Sequence, residues 1–385
     1  MASMFSFGFS GDDIEDEVDA GAPDTTTHTD NEKNNSTANN LPEIFPAEKH
    51  QIEEWTSSLP SQIAYSTLKL KSSANDEYLL GRREIFDVRT QLMAEDAPDH
   101  DELISGLEQG DLKPNFYEGG FKTWECALDL ARLVLQQQGP KPDREESSRF
   151  WNDVEGDGFH VIELGCGTAV PTLALFARLL SLPLSSFEES RKKRTFKFTL
   201  ADYNSSVLRM VTLPNLLLTW WLSTTISQSD ESTEAHKPDE GELDIDSALL
   251  DAFQTDLSKR GVTIDFISGG WSSQFVDLVS GGNNQREQSI PRLVLASETI
   301  YSPSSLDSFS QTLVQLLRGG MQASRALVAA KKVYFGVGGG IDEFLHVLRQ
   351  QPLQENEQLD TRESSEVTSE GVGRIILEIN VHTRT

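Results

Sequence analysis

The chain has 385 residues, is 37% hydrophobic and carries 61 acidic against 33 basic side chains, a formal charge of −28. Its two cysteines, Cys126 and Cys166, exclude a disulfide framework and a cysteine-based zinc site. No apolar run is long enough for a transmembrane helix. The charge is concentrated: net −9 over residues 1–50, −9 over 228–256 and −5 over 351–370, with the remainder near neutral. Such acidity belongs to tails and loops, where it serves solubility or attracts a basic partner. Residues 1–10 lack a basic n-region and a long apolar stretch, so no secretory signal is expected there, and the expected compartments are cytoplasm and nucleus.

Residues 1–40 are polar and acidic and are expected to form a disordered tail. An N-terminal extension follows over 41–110, with Ser66-Thr67-Leu68-Lys69-Leu70 as a candidate edge strand. The main domain is expected over 111–385. Trp124, Ala127, Leu128, Ala131, Val134 and Leu135 share one face at helical spacing, and Gly139-Pro140 ends that helix. After a polar loop over 140–157, strand signals fall at 160–164 and 196–201, with a helix over 170–182 between them. A helix over 206–222 is interrupted at Pro214. An acidic insert over 223–260 is expected to be a loop. Strands follow at 262–267, 293–296 and 326–330, with helices over 304–317 and 342–350. A polar loop over 352–372 precedes a last strand at 374–381. Alternation of this kind implies an α/β fold, one mostly parallel sheet with helices on both faces. Ligands in such sheets bind beyond the carboxyl ends of the strands.

The segment from His160 to Ala169 runs from a buried strand through Gly165-Cys166-Gly167 into a helix. The glycines permit a sharp turn and close approach of a ligand, and the helix aims free amides into it. The same glycines would also suit a plain tight turn. A P-loop would need Gly-Lys-Ser/Thr, which is missing. A dinucleotide site would want a glycine where Val170 stands, and an acid about 20 residues on. The acid at the end of the second strand is Asp202, much farther along. The sequence Glu163-Leu164-Gly165-Cys166-Gly167 followed by Asp202 instead suits S-adenosyl-L-methionine, since a carboxylate there can accept both ribose hydroxyls. Asp202 could otherwise serve as a helix cap.

A wider pattern extends this. Tyr117-Glu118-Gly119-Gly120-Phe121-Lys122-Thr123-Trp124-Glu125-Cys126 precedes the first helix of the domain. Then come the 163–169 turn, Ala201-Asp202-Tyr203-Asn204, Gly269-Gly270-Trp271 and Ser297-Glu298-Thr299-Ile300-Tyr301. In this order the chain resembles the seven-strand, Rossmann-like class I S-adenosylmethionine-dependent protein methyltransferases. The Tyr117–Cys126 segment resembles the protein-histidine methyltransferases, which modify a histidine of a large-subunit ribosomal protein, the L-three protein. The resemblance covers roughly residues 111–345 and leaves out the acidic insert. It implies that Lys122, Thr123, Trp124, Glu125 and Cys126 form a wall of the cofactor site, with Glu163, Gly165, Cys166 and Gly167 at the turn. Asp202 would hold the ribose, while Tyr203 and Asn204 shape the adenosine pocket. Gly269, Gly270 and Trp271 would meet adenine, by stacking and by a backbone group. Core packing competes as an account of Trp124 and Trp271. Ser297 and Glu298 would lie by the methyl-bearing end.

Methyl transfer from a sulfonium is an in-line displacement that needs an unprotonated, aligned nucleophile. An imidazole is mostly neutral near pH 7, so it needs an acceptor for its other ring N–H rather than a strong base. Glu298 is the candidate acceptor and Tyr301 the candidate wall of the target pocket. A lysine substrate, with its reference pKa near 10.4, could use the same residues and remains the alternative enzyme. A non-catalytic cofactor-binding assembly factor is the alternative of another class. The expected partner is a basic protein, and the expected state a monomer. The seven histidines show no metal-ligand spacing, and His160 reads as structural. Arg191-Lys192-Lys193-Arg194 fits a solvated loop, with RNA contact or nuclear import as the alternatives.

Overall fold

The principal elements, in chain order, are β1 (Glu48–His50), α1 (Ile52–Thr56), β2 (Gln62–Lys71), β3 (Glu77–Arg83), α2 (Ile85–Ala94), α3 (Glu125–Gln136), β4 (Gly158–Leu164), α4 (Val170–Leu180) and β5 (Thr195–Asp202). There follow α5 (Leu213–Gln228), β6 (Glu240–Asp244), α6 (Ser247–Arg260), β7 (Val262–Ser268), α7 (Ser273–Ser280), β8 (Arg292–Ser297), α8 (Leu306–Arg318), β9 (Arg325–Lys331), α9 (Ile341–Arg349), β10 (Glu357–Val367) and β11 (Arg374–Thr383). The structure is a computed structural model. It describes residues 45–72, 76–95, 103–104, 119–136, 158–188, 194–228, 239–281, 290–318, 324–336, 338–368 and 372–383. The tail over 1–40, Tyr117, Glu118, the loop over 140–157 and Arg191, Lys192 and Lys193 lie outside these residues.

The main sheet has eight strands in the order β1-β7-β5-β4-β8-β9-β11-β10. From β7 to β9 neighbouring strands are parallel, and the flanking strands pair antiparallel. The parallel part of this sheet begins at β4, moves outward through β5 to β7, then crosses back to β8 and β9. That reversal places a ligand cleft beyond the carboxyl ends of β4 and β8. The expected seven strands become eight because β1, from the N-terminal extension, joins the edge beside β7.

Period-two alternation supplies cover on both faces. Phe159 and Val161 of β4 join one core cluster with Phe176, Phe198 and Leu295, whereas Ile162 and Leu164 join the other with Phe309, Val294 and Val328. Every residue of β4 is buried, which is why this strand is continuously apolar apart from His160 and Glu163. His160 is structural, as read from the sequence: it is buried, and its Nε2 lies 2.8 Å from Thr199 Oγ1. Each fully buried Phe or Leu contributes about 1.5–3 kcal/mol relative to exposure.

A second sheet, β3-β2-β6, packs on α5. The expected edge strand is therefore the middle strand of this sheet, hydrogen-bonded on both sides. Helix α5 lies between the two sheets. Leu213, Leu216 and Leu217 face the main core, and Leu218 and Leu222 face the small sheet; this explains a helix that is apolar all round. Gly81 of β3 lets the helix come close: a Cβ there would lie 2.3 Å from Leu218 Cβ. Thr219 Oγ1 accepts the Gly81 amide at 3.0 Å, and Asn215 Oδ1 the Arg83 amide at 2.7 Å. The interruption expected at Pro214 is a π-helical turn over Leu208–Thr212. Proline cannot donate to the carbonyl four residues back, that of Met210. Arg83 Nη1 donates to it instead at 2.9 Å.

Two expected loops contain regular elements. The acidic insert over 223–260 begins inside α5 and contains β6 and α6, and β6 completes the small sheet. The polar loop over 352–372 contains β10, the outer strand of the main sheet. Both strands are charged because one face or one edge meets water, and charge on an edge strand also blocks pairing with other chains. Among the described residues no helix is long and apolar enough to cross a membrane, and no cluster of side chains suits a metal ion.

Candidate active site

The turn after β4 is left-handed at three positions: Gly165 at φ +62°, Gly167 at +50° and Ala169 at +58°. It is held by Cys166 N donating to Ala201 O at 2.8 Å and Thr212 Oγ1 to Gly167 O at 2.7 Å. A Cβ on Gly165 would lie 2.8 Å from Thr299 Cγ2, and one on Gly167 would lie 3.0 Å from Gly120 O. The segment after Gly119 therefore lies directly on the turn, and Thr123 Oγ1 is 3.0 Å from Thr168 Oγ1. The first helix of the domain starts at Glu125, one residue beyond Trp124.

Asp202 ends β5 beside this turn. Its Oδ2 accepts Gly167 N at 3.0 Å and its Oδ1 accepts Asn204 N at 3.1 Å. An ionised carboxylate has about four acceptor sites, so ribose hydroxyls can still bind it. Asp202 makes its local bond to Asn204, and Asn204 occupies the cap position of the next short helix. Glu163 sits elsewhere than expected. It is completely buried beneath the turn, and its Oε2 accepts Thr172 N at 3.0 Å, capping α4 from inside. Burial pushes its pKa up to about 8, with Asp202 adding to the rise and the Thr172 bonds opposing it. Its geometry is that of a support under the turn rather than a wall of the cleft.

Cys126 and Cys166 are free, buried thiols. Burial is the main cause raising both pKa values, with Glu298 beside Cys126 and Asp202 beside Cys166 contributing. Neither is a nucleophile in this setting. Trp124 is half-buried: its Nε1 donates to Gly119 O at 3.0 Å, and the Lys331 ammonium lies 5.5 Å from its ring centre. Lys122 donates its amide to Gly119 O at 3.4 Å. Glu125 is exposed and faces Lys331 at 3.6 Å and Arg374 at 3.8 Å.

At the end of β7, Gly269 N donates to Tyr203 O at 3.2 Å, and Gly270 N donates to Phe45 O at 2.9 Å. The Gly270 amide is thus already engaged and is not the group that reads adenine. Trp271 is half-buried, with Phe275 and Phe309 edge-on to its ring at 5.5 and 5.8 Å. Both core packing and a ligand contact fit that position.

Ser297 ends β8 and is followed by Glu298, which has a left-handed backbone at φ +56°. Its side chain is only 8% exposed. Tyr334 OH donates to Glu298 Oε2 at 2.7 Å and itself accepts Lys331 N–H at 3.2 Å, which fixes the direction of its proton. Burial, then the Glu298 charge, raises the Tyr334 pKa, so the phenol stays protonated. Glu298 Oε1 is buried, the Cys126 thiol lies beside the carboxylate, and Lys331 Nζ stands 4.0 Å from Oε1. The Tyr301 ring lies 6.3 Å from that of Tyr334. Sequence reading missed Lys331 and Tyr334. The available signal was position: Lys331 ends β9 at the cleft side, and four glycines follow closely at 336 and 338–340.

Apart from the buried Glu163 and the segment from Lys122 to Cys126 that leads into α3, the expected residues lie along the carboxyl ends of β4, β5, β7 and β8. The tight glycine turn, the ribose-competent Asp202 and the absence of a P-loop lysine fit S-adenosylmethionine.

Comparison with known proteins supports a specific family. No family model matches the chain. Histidine protein methyltransferase 1 of Saccharomyces cerevisiae is 34% identical over 360 residues, covering 88% of this chain and 89% of that protein. Its counterpart in Schizosaccharomyces pombe is 35% identical, covering 80% of this chain and 78% of its own length. A Bos taurus homolog of the same name is 29% identical, over 73% of this chain and 57% of that protein. Solved structures overlap only loosely. A SAM-dependent methyltransferase of Anabaena variabilis has a TM-score of 0.29 and 8% identity, over 58% of this chain and 77% of that one, and adds nothing to the topology. With a third of its residues identical across most of both yeast proteins, this chain belongs to the histidine protein methyltransferase 1 family.

Proposed function

We propose that this chain transfers a methyl group from S-adenosyl-L-methionine to a histidine imidazole of a basic, large-subunit ribosomal protein. The cofactor supplies an electrophilic methyl on a sulfonium. The residues around it bind, orient and hold charge. Asp202 accepts the ribose hydroxyls and the glycine turn admits the amino-acid end. Tyr301 walls the target pocket. Glu298 fixes the tautomer of the acceptor ring and balances the positive charge that grows on it.

The observation that carries this reading is the buried Glu298 carboxylate held by Tyr334 at the end of β8. Its Oε1 is shielded from water beside the Cys126 thiol, so a ring N–H that reached it would form a strong charge-assisted bond. A neutral imidazole needs only such an acceptor, whereas lysine must first lose a proton. Family membership favours histidine on independent grounds. The acidic segments suit a basic substrate met as a monomer in cytoplasm and nucleus.

Incubation with purified ribosomal proteins and methyl-labelled cofactor, followed by mass spectrometry, tests the assignment. Methyl-histidine on a large-subunit protein is expected, and methyl-lysine alone would overturn it. Glu298→Gln should lower kcat by roughly 10²-fold while cofactor affinity is kept. Undiminished turnover would remove Glu298 from the reaction.

A further inference from the structure

We propose that Phe45 is a cofactor-contacting residue: its ring, beside Tyr203, walls the adenine end of the cleft, so the N-terminal strap completes the binding site. The proposal rests on the reading of Asp202 and Tyr203 as the adenosine end. The strap is firmly anchored. β1 pairs with β7 from Glu48 opposite Ser268 to His50 opposite Phe266. His50 Nε2 lies 2.7 Å from Ser268 Oγ, Lys49 Nζ 2.9 Å from Asp265, and Gln274 Nε2 donates to Ala47 O at 3.1 Å. Ala47 is buried in the core.

The strap crosses the end of β7 at the two glycines expected to meet adenine. Gly270 donates to Phe45 O. Gly269 has φ +100°, and a Cβ there would fall 2.4 Å from Pro46 O. Glycine is thus required at 269 by the crossing strap. The strap therefore takes over a place where the adenine was expected to find backbone, and it brings a side chain with it.

That side chain is Phe45, held on fixed backbone yet 52% exposed. A single exposed aromatic is ordinary. Here it stands 5.5 Å from the Tyr203 ring, centre to centre, tilted by 49°. Tyr203 directly follows the ribose-binding Asp202. Two aromatic rings at this spacing beside a ribose acceptor offer a planar purine an offset or edge contact. The chemical class selected is an adenine nucleoside, and the contribution is to cofactor affinity rather than to the methyl-transfer step.

Calorimetric titration of full-length protein with S-adenosylhomocysteine tests this. Phe45→Ala should weaken binding by about tenfold, the loss of one aromatic contact. Phe45→Trp should retain wild-type affinity. The thermal midpoint of the cofactor-free protein should be unchanged in both. Wild-type affinity in Phe45→Ala overturns the proposal. So does weakened binding accompanied by an equal loss of midpoint in the free protein that Trp does not restore, because that outcome assigns the ring to folding. Asp202→Ala separates the two readings: if it loses binding while Phe45→Ala does not, only the Phe45 proposal fails. If Asp202→Ala binds normally, the adenosine assignment fails first.

Discussion

Glu163→Gln should change how stability depends on pH. The Glu163 carboxyl is completely buried, and its pKa rises from an ordinary 4.5 to about 8. In the unfolded chain the same group loses its proton near pH 4.5. Between these values the folded protein holds a proton that the unfolded chain has released. Stability from this group is therefore full below about pH 4.5 and falls as pH rises through about 8. At about 1.36 kcal/mol per pH unit, the loss between pH 5 and pH 8 is on the order of 3 kcal/mol. Glutamine keeps an acceptor oxygen for Thr172 N and does not ionise, so its own cost is a constant offset. Other groups also titrate in this range. His160, whose pKa burial lowers most, with Lys197 adding, favours the folded state as pH rises through about 6.5. The informative quantity is therefore the difference between the two proteins. Urea unfolding of cofactor-free protein at pH 5, 6.5 and 8 should show wild type losing on the order of 3 kcal/mol relative to the variant. A difference that stays constant would refute the buried neutral carboxyl.

Two further predictions test other contacts. Tyr334→Phe removes the bond to Glu298 Oε2 and leaves a buried carboxylate oxygen unpaired, which should cost about 1–3 kcal/mol. Turnover should fall while cofactor affinity by calorimetry holds, and unchanged turnover would mean that Tyr334 does not position Glu298. Gly81→Ala places a Cβ 2.3 Å from Leu218 Cβ and should cost about 1–3 kcal/mol in chemical unfolding, because β3 and α5 must separate. A neutral result would show that the small sheet yields without cost.

Much of the site lies at strand ends, and strand ends are written locally. Val161, Ile162 and Leu164 are apolar because β4 is covered on both faces, and the glycines after them mark a left-handed turn whichever ligand binds. The same local logic placed Asp202, Ser297 and Glu298 at the carboxyl ends of their strands. The sequence alone therefore determined the α/β class, the parallel core and the position of the cleft.

Other features depend on partners distant in sequence. β6 pairs with β2, and its acids alternate with a buried Leu243, so its composition resembles that of a loop. β10 is polar because it is an edge strand. Glu163 looked like a ligand by its place before the glycines, yet burial turned it inward to cap α4. The strap over Gly269, the Tyr334 bond to Glu298 and the Arg83 bond to Met210 O each join residues far apart in the chain. Local periodicity reports which face of an element is buried, because that depends on side-chain spacing within it. Which groups then meet across a cleft depends on how the sheet orders its strands, and only the tertiary structure decided that.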